Sequence, residues 1–186
     1  MTPPEPSIIF LNGTSSSGKS TLTARLQALL DPVFLHFSED YFFHMLPGHA
    51  HERPDFTTIG TALYDGFARS AAAMVAAGNS LIIDTVAWTP GSMAMFERTL
   101  RGLDVLAVGV HCDLAVLEAR ERQRGDRNVG LARTQLLKAH AEALYDVEVD
   151  TSTQTLEGCV ESIVDAWRRP PTESAFARLR DLAVSA

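Results

Sequence analysis

Apolar residues fall in short unbroken runs along the chain, and each run is followed by a longer stretch in which leucine, alanine or an aromatic recurs at helical spacing. The first run, Ser7-Ile8-Ile9-Phe10-Leu11, reads as a buried strand, and Leu22, Leu26, Leu29 and Leu30 after it share one face of a predicted helix. Asp31-Pro32 breaks that helix, and Val33-Phe34-Leu35-His36-Phe37 reads as a second strand that delivers Ser38-Glu39-Asp40. Tyr41 to Leu46 is aromatic-rich and predicted helical, and Pro47 to Pro54 has the punctuation of an exposed loop. A long helix is expected over Thr58 to Ala77, with Leu63, Phe67, Met74 and Val75 facing inward and Gly78 ending it. Ser80 to Asp84 is the third strand.

In Thr89-Pro90 the threonine is a candidate N-cap and the proline a first helical residue, so a helix is expected from Pro90 to Leu100. Val105 to Val110 is the fourth strand, and Asp113 caps a helix through Leu114 and Leu117 to Gly125. A helix over Leu131 to Leu144, a fifth strand at Val147-Glu148-Val149 and a helix from Leu156 to Trp167 complete the alternation. Such alternation predicts an α/β fold, a five-stranded parallel sheet with helices on both faces in three layers. One domain over residues 1–186 is expected, with a disordered start at 1–6 and an extra C-terminal helix as one reading of 170–186, where Phe176, Leu179 and Leu182 keep helical spacing.

Between the first strand and its helix lies Gly13-Thr14-Ser15-Ser16-Ser17-Gly18-Lys19-Ser20, which fits the P-loop pattern G-x-x-x-x-G-K-[ST] without a mismatch. Backbone N–H groups of such a loop and the N-terminus of the next helix form an anion site, so residues 13–20 together with Thr21 are candidates for binding ATP, and Arg120 from farther along the chain is a further one. Lys19 reaches the β/γ-phosphates in this reading, and Ser20 is a Mg²⁺ ligand. Asp84 ends an apolar strand as a Walker B acid does and is the second candidate metal residue; capping of the next turn is its plainer role. Asp40, just past the second strand, is placed to accept a proton from a substrate hydroxyl, or simply to cap the helix beginning at Tyr41, and Glu39 is a weaker candidate for the same task.

Arg120, Arg124 and Arg127 recur at helical spacing. A solvated charged face with Glu118 and Glu121 would explain them, but beside a P-loop they are candidates for a lid that places charge on the transferring phosphoryl group. Tyr41, Phe42, Phe43, Met45 and Leu46 cannot all face one core, so Tyr41 and Phe42, joined by Val86 and Trp88, are expected to line an acceptor pocket with apolar surface. His49 and His51 lack a partner at metal spacing and read as loop residues.

Composition narrows the partners. The formal charge is −7 and basic residues form no long run, which argues against nucleic-acid binding and for a small-molecule acceptor. Cys112 and Cys159 read as free thiols in a reducing, cytoplasmic setting; no apolar run is long enough for a membrane span, and homo-oligomerisation stays open.

The chain resembles the chloramphenicol phosphotransferase family, P-loop enzymes that phosphorylate a hydroxyl of the antibiotic with ATP. The resemblance rests on Leu11-Asn12-Gly13 through Ser20, the Asp40 stretch ending Met45-Leu46-Pro47, Ile82-Ile83-Asp84, Leu103-Asp104-Val105 and Val108-Gly109-Val110. Arg120 through Arg127 and Tyr145-Asp146-Val147-Glu148-Val149-Asp150-Thr151 complete it. It implies a fold like the nucleoside monophosphate kinases, Asp40 as catalytic base, and Arg124 and Arg127 as lid contacts to phosphate. Members of that family often carry a second acid after the strand-three aspartate, where this chain has Thr85, and Trp88 and the segment from His49 to Phe56 also depart from the family's pocket. The implied function is an ATP- and Mg²⁺-dependent kinase for a hydrophobic hydroxylated molecule such as chloramphenicol. A kinase for a nucleotide sugar, in the manner of the zeta toxins, is the nearest rival, and a non-catalytic ATP sensor the more distant one.

Overall fold

The computed structural model describes residues 7–89, 91–124 and 130–185. Strand β1 (Ser7–Asn12) leads through the glycine-serine loop into α1 (Lys19–Leu29), then β2 (Phe34–Ser38), α2 (Glu39–Phe43), a 3-10 turn (Ala50–Glu52), α3 (Phe56–Ala76) and β3 (Ser80–Thr85). The second half runs α4 (Ser92–Leu100), β4 (Asp104–His111), α5 (Leu114–Arg124), α6 (Leu131–Leu136), β5 (Val147–Asp150), α7 (Leu156–Arg168) and α8 (Ala175–Ser185). The five strands pair in parallel in the order β2-β3-β1-β4-β5.

All six residues of β1 are buried, because it lies mid-sheet under helices on both faces. Side chains alternate along it. Ile8 and Phe10 join Leu81, Ile83, Phe67 and Phe96 on the face covered by α3, α4 and α8, while Ile9 and Leu11 join Leu22, Leu26, Ile82 and Cys159 under α1 and α7. Phe10 meets Phe96 edge to face at 4.8 Å and Phe176 of α8 at 5.5 Å, so the C-terminal helix closes the first of these cores. Register then positions the site. Leu11 pairs with Asp84, which pairs in turn with Ser38, so the carboxyl ends of β1, β3 and β2 come out level at one edge of the sheet.

Four local expectations change. Leu29 is half exposed, since it lies about 100° around the helix from the buried Leu30. Helix α4 starts at Ser92, after Gly91 at φ 77°; the expected start, Pro90, lies outside the described residues. The helix expected to Leu144 stops at Leu136, and turns follow to Glu142; there Asn12 Nδ2 donates to the Ala139 carbonyl oxygen at 2.6 Å, while the Ala143 N–H bonds to His140 O and not to Ala139 O. The helix expected at Tyr41 to Leu46 begins earlier, at Glu39, and ends at Phe43. The start at 1–6 lies outside the described residues.

Candidate functional site

The loop between β1 and α1 is shaped by its neighbours. A Cβ on Gly13 would sit 2.4 Å from the Val110 carbonyl oxygen, so only glycine fits there, and Gly18 enters α1 at φ 96°. Lys19 folds back over the loop: its Nζ donates to the carbonyls of Gly13 at 2.8 Å and Thr14 at 2.9 Å and lies 3.7 Å from Asp84 Oδ1. Ser20 Oγ donates to Asp84 Oδ2 at 2.8 Å, and His36 Nε2 stands 3.4 Å from the same oxygen. Burial alone pushes the Asp84 carboxyl up, but the Lys19 ammonium, His36 and the Ser20 hydroxyl outweigh it and hold the group below its usual range. Asp84 therefore stands ionised beside a hydroxyl and an ammonium. The buried hydroxyls of Ser16 and Ser17 have no hydrogen-bond partner, and α1 carries no acid in its first turn to occupy its positive end.

A cleft of about 480 Å³ opens over this loop. Ser15, Ser16, Gly18, Lys19, Ser20 and Thr21 line its floor, with Ser38, Glu39, Asp40, Asp84 and Val86 at one end and Arg120, Gln123, Thr151, Gln154 and Cys159 at the other. At the β2 end the cap of α2 is Ser38, whose hydroxyl accepts from the Asp40 N–H at 3.3 Å. Asp40 thus sits inside the first turn and is not the N-cap. Glu39, which sequence reasoning ranked low, is the more constrained acid: its Oε2 accepts from Thr85 Oγ1 at 2.5 Å and from the Val86 N–H at 3.2 Å. Tyr64 Oη lies 3.1 Å from the same Thr85 hydroxyl. Burial raises the Glu39 carboxyl to about 7 against the downward pull of Thr85, Val86 and Lys19.

At the opposite end Arg120 is bound into the protein: Nη1 donates to Ser16 O at 3.2 Å and Thr151 Oγ1 at 3.0 Å, and Nη2 to Thr151 O at 3.1 Å. Thr151 Oγ1 in turn donates to Ser17 O at 2.7 Å. Arg120 therefore braces the loop as well as lining the cleft. The solvated pairing weighed for Glu121 as the alternative does not occur: its carboxylate is fully buried and accepts from the Gly130 N–H at 2.9 Å and the Ala132 N–H at 2.8 Å. The side chain of Arg124 and the whole of Arg127 lie outside the described residues.

Two supports of the loop escaped sequence reasoning. Gln135 of α6, 5% exposed, accepts from the Ser15 N–H at 2.8 Å. Asn12, fully buried just before Gly13, donates to Tyr145 Oη at 2.7 Å as well as to Ala139 O, and accepts from the Ala87 N–H at 2.8 Å. Tyr145 Oη is 2.6 Å from His140 Nδ1, and the His140 ring stacks on His111 at 4.1 Å. A polar asparagine closing an apolar strand was the available signal; its partners, 75 to 133 residues away, were not.

The expected acceptor pocket is partly redrawn. Val86 lines the cleft, but Phe42 packs into the core against Phe67 at 5.1 Å and Phe37 at 5.5 Å. Tyr41 is more than half exposed beside His36, and Trp88 lies under Lys138 Nζ at 5.7 Å; neither lines the cleft. Tyr41 and Phe42 lie about 100° apart around α2, so when Phe42 faces the core Tyr41 faces outward. His51 is exposed next to Glu52, and among the described residues no His, Cys, Asp and Glu cluster fit for a metal ion occurs. No described helix is long and apolar enough to cross a membrane.

Comparison with known proteins agrees with this architecture. A family model described as chloramphenicol phosphotransferase-like protein matches residues 6–168. A Mycobacterium tuberculosis (strain H37Rv) protein named provisionally as an O-phosphotransferase is 32% identical over 200 residues, covering 95% of this chain and 89% of that protein. Among solved structures, the M. tuberculosis APS kinase in complex with AMPPNP and APS superposes with a TM-score of 0.67 at 14% identity, over 89% of this chain and 99% of that one. A sugar kinase from Janibacter sp. HTCC2649 gives 0.68 at 17% identity, over 89% and 96%. These two likenesses carry the P-loop kinase fold.

Proposed function

The chain belongs to the chloramphenicol phosphotransferase-like family, and from that premise we propose that it transfers the γ-phosphate of ATP, with Mg²⁺, to a hydroxyl of a small molecule bound at the β2 end of the cleft. Phosphotransferase activity follows from the family and its P-loop kinase fold. The observation that supports the fuller reading is the meeting of Lys19, the Ser20 and Asp84 pair and Asp40 around one cleft.

Lys19 and the loop amides hold the β/γ-phosphates, and the unpartnered hydroxyls of Ser16 and Ser17 fit a loop that wraps an anion. A serine hydroxyl beside an ionised carboxylate is the oxygen donor set that a hard divalent cation takes, so Ser20 and Asp84 would hold Mg²⁺. When bound, the ion neutralises charge on the phosphate oxygens. Asp40, relieved of capping by Ser38, orients the acceptor hydroxyl and accepts its proton. Arg124 and Arg127 supply positive charge to the transferring group, and Arg120 acts from behind the loop. Chloramphenicol, a neutral diol, is the first acceptor to try.

The test is Asp40→Asn, assayed for phosphate addition by mass spectrometry with ATP and Mg²⁺. The Ser38 cap survives this change, so the melting temperature and ATP affinity should hold while transfer falls about a hundredfold, the low end for loss of a general base because a loose transition state leans more on positioning. Near-normal transfer in this variant would remove Asp40 from the chemistry.

A further inference from the structure

The acceptor end of the cleft differs from the pocket the aromatic residues suggested. With Phe42 in the core and Tyr41 and Trp88 outside the lining, the side chains that remain there are Ser38, Glu39, Asp40, Asp84 and Val86. Asp84 is taken up by Ser20, Lys19 and His36, and Asp40 is the proposed base. Glu39 has no part in that chemistry. Nor does it hold its own helix, since Ser38 caps α2 through the Asp40 N–H.

A carboxyl in such a place has a desolvation cost, and here only one of its oxygens is repaid. Oε2 takes both the Thr85 hydroxyl and the Val86 N–H, which pins the side chain against β3. Oε1 accepts no hydrogen bond from a described residue, and Glu39 lines the cleft. The two cations among the described lining residues, Lys19 and Arg120, are both donating to loop carbonyls. A pinned carboxyl with one free oxygen, beside the proposed base, is a receptor for a hydrogen-bond donor or a cation.

We infer that Glu39 is the specificity-determining residue of the acceptor end: its free oxygen receives a second hydroxyl or an ammonium of the acceptor, so the acceptor is a neutral polyol or an amino alcohol and carries no phosphate, sulfate or carboxylate at that point. This rests on the O-phosphotransferase reading above and narrows its substrate class. Recognition is pH-gated. Lys19 from α1, Asp40 from α2 and Tyr64 from α3 act on the group, and the cleft it lines also holds Asp84, which is paired with His36. Burial, opposed by Thr85, Val86 and Lys19, puts its ionisation at about 7. The anionic form, dominant above that value, is the stronger acceptor of a hydroxyl or ammonium.

The experiment offers ATP, Mg²⁺ and three arms of acceptors to the full chain: neutral (chloramphenicol, sorbitol), cationic (glucosamine, kanamycin) and anionic (gluconate, glucose 6-phosphate, a uridine diphosphate sugar), with product read by mass. The native protein should phosphorylate at least one neutral or cationic member and no anionic one. For the best member, Glu39→Gln should raise the acceptor KM about tenfold or more at pH 8 with the ATP KM within about twofold, the loss expected when a charged partner of a substrate donor is neutralised. The native acceptor KM should fall as pH rises through about 7, and this dependence should vanish in Glu39→Gln. Thr85→Val, which touches Glu39 only from behind, should move the dependence to higher pH by removing a hydrogen bond that favours the anion. Transfer to the anionic arm, or an unchanged acceptor KM in Glu39→Gln, overturns the role of Glu39 and leaves the phosphotransferase reading standing. Transfer to no member by a protein that binds ATP sinks both.

Discussion

Tyr145→Phe isolates the polar support beneath the P-loop. The change deletes one oxygen and keeps the ring, which matters because Gly109 is packed so tightly on that ring that a Cβ there would lie 2.6 Å from Tyr145 Cδ2. The lost oxygen serves two partners. Asn12 Nδ2 can only donate to it, so the Tyr145 hydroxyl proton goes to His140 Nδ1, and His140 stands neutral with its proton on Nε2. Burial, the adjacent His111 and Lys19 agree with that state, holding the His140 imidazolium down to about 4. In the variant one N–H of the fully buried Asn12 and the Nδ1 of His140 are left unpaired. An orphaned buried donor costs about 1–3 kcal/mol. A central value of about 2 kcal/mol lowers the melting temperature by roughly 4–8 °C in a chain of this size. Scanning calorimetry at pH 7.5, beside calorimetric titration of AMPPNP, measures both consequences. Because Asn12 adjoins Gly13, AMPPNP affinity should weaken as well. A melting temperature within about 1 °C of native, for a measurement precise enough to see the expected shift, would mean that water replaces the phenol oxygen and that the network does not hold the loop.

The same network makes stability depend on pH. His140 in the unfolded chain protonates near 6.5 and in the folded protein only near 4, so stability is full above the first value and falls as pH drops from there towards the second; a melting series over that window checks it, and a flat series would place a proton on the buried ring. Gly109→Ala drives a methyl into the Tyr145 ring and should destabilise by about 1–3 kcal/mol through overpacking, read by urea unfolding, with no measurable change if the ring can swing aside. Lys19→Ala should abolish most phosphate transfer and weaken AMPPNP, since Lys19 is the cation facing both the loop carbonyls and Asp84; unchanged turnover would end the kinase reading.

Much of the fold and the floor of the site were legible in the chain order. Strand β1, the glycine-serine loop and α1 are contiguous, so the phosphate loop is a local structure written in local sequence, and apolar runs alternating with helical spacing lead directly to a parallel sheet under two helical layers. Asp84 was visible for the same reason, as the acid that follows the apolar run Leu81-Ile82-Ile83. What the residues near the acceptor end do was decided only in three dimensions. Glu39 and Asp40 are neighbours in sequence and both carry a carboxyl, yet it is Ser38 that caps α2 while Thr85 and Val86, 46 and 47 positions away, hold Glu39. Phe42 and Tyr41 are also adjacent, and a short helix can turn only one of them to the core. Arg120, Gln135, Asn12 and Tyr145 owe their places around the loop to partners more than 100 residues distant. Periodicity encodes which face of an element is buried, but a hydrogen bond across the sheet depends on strand order and register, which no local pattern carries.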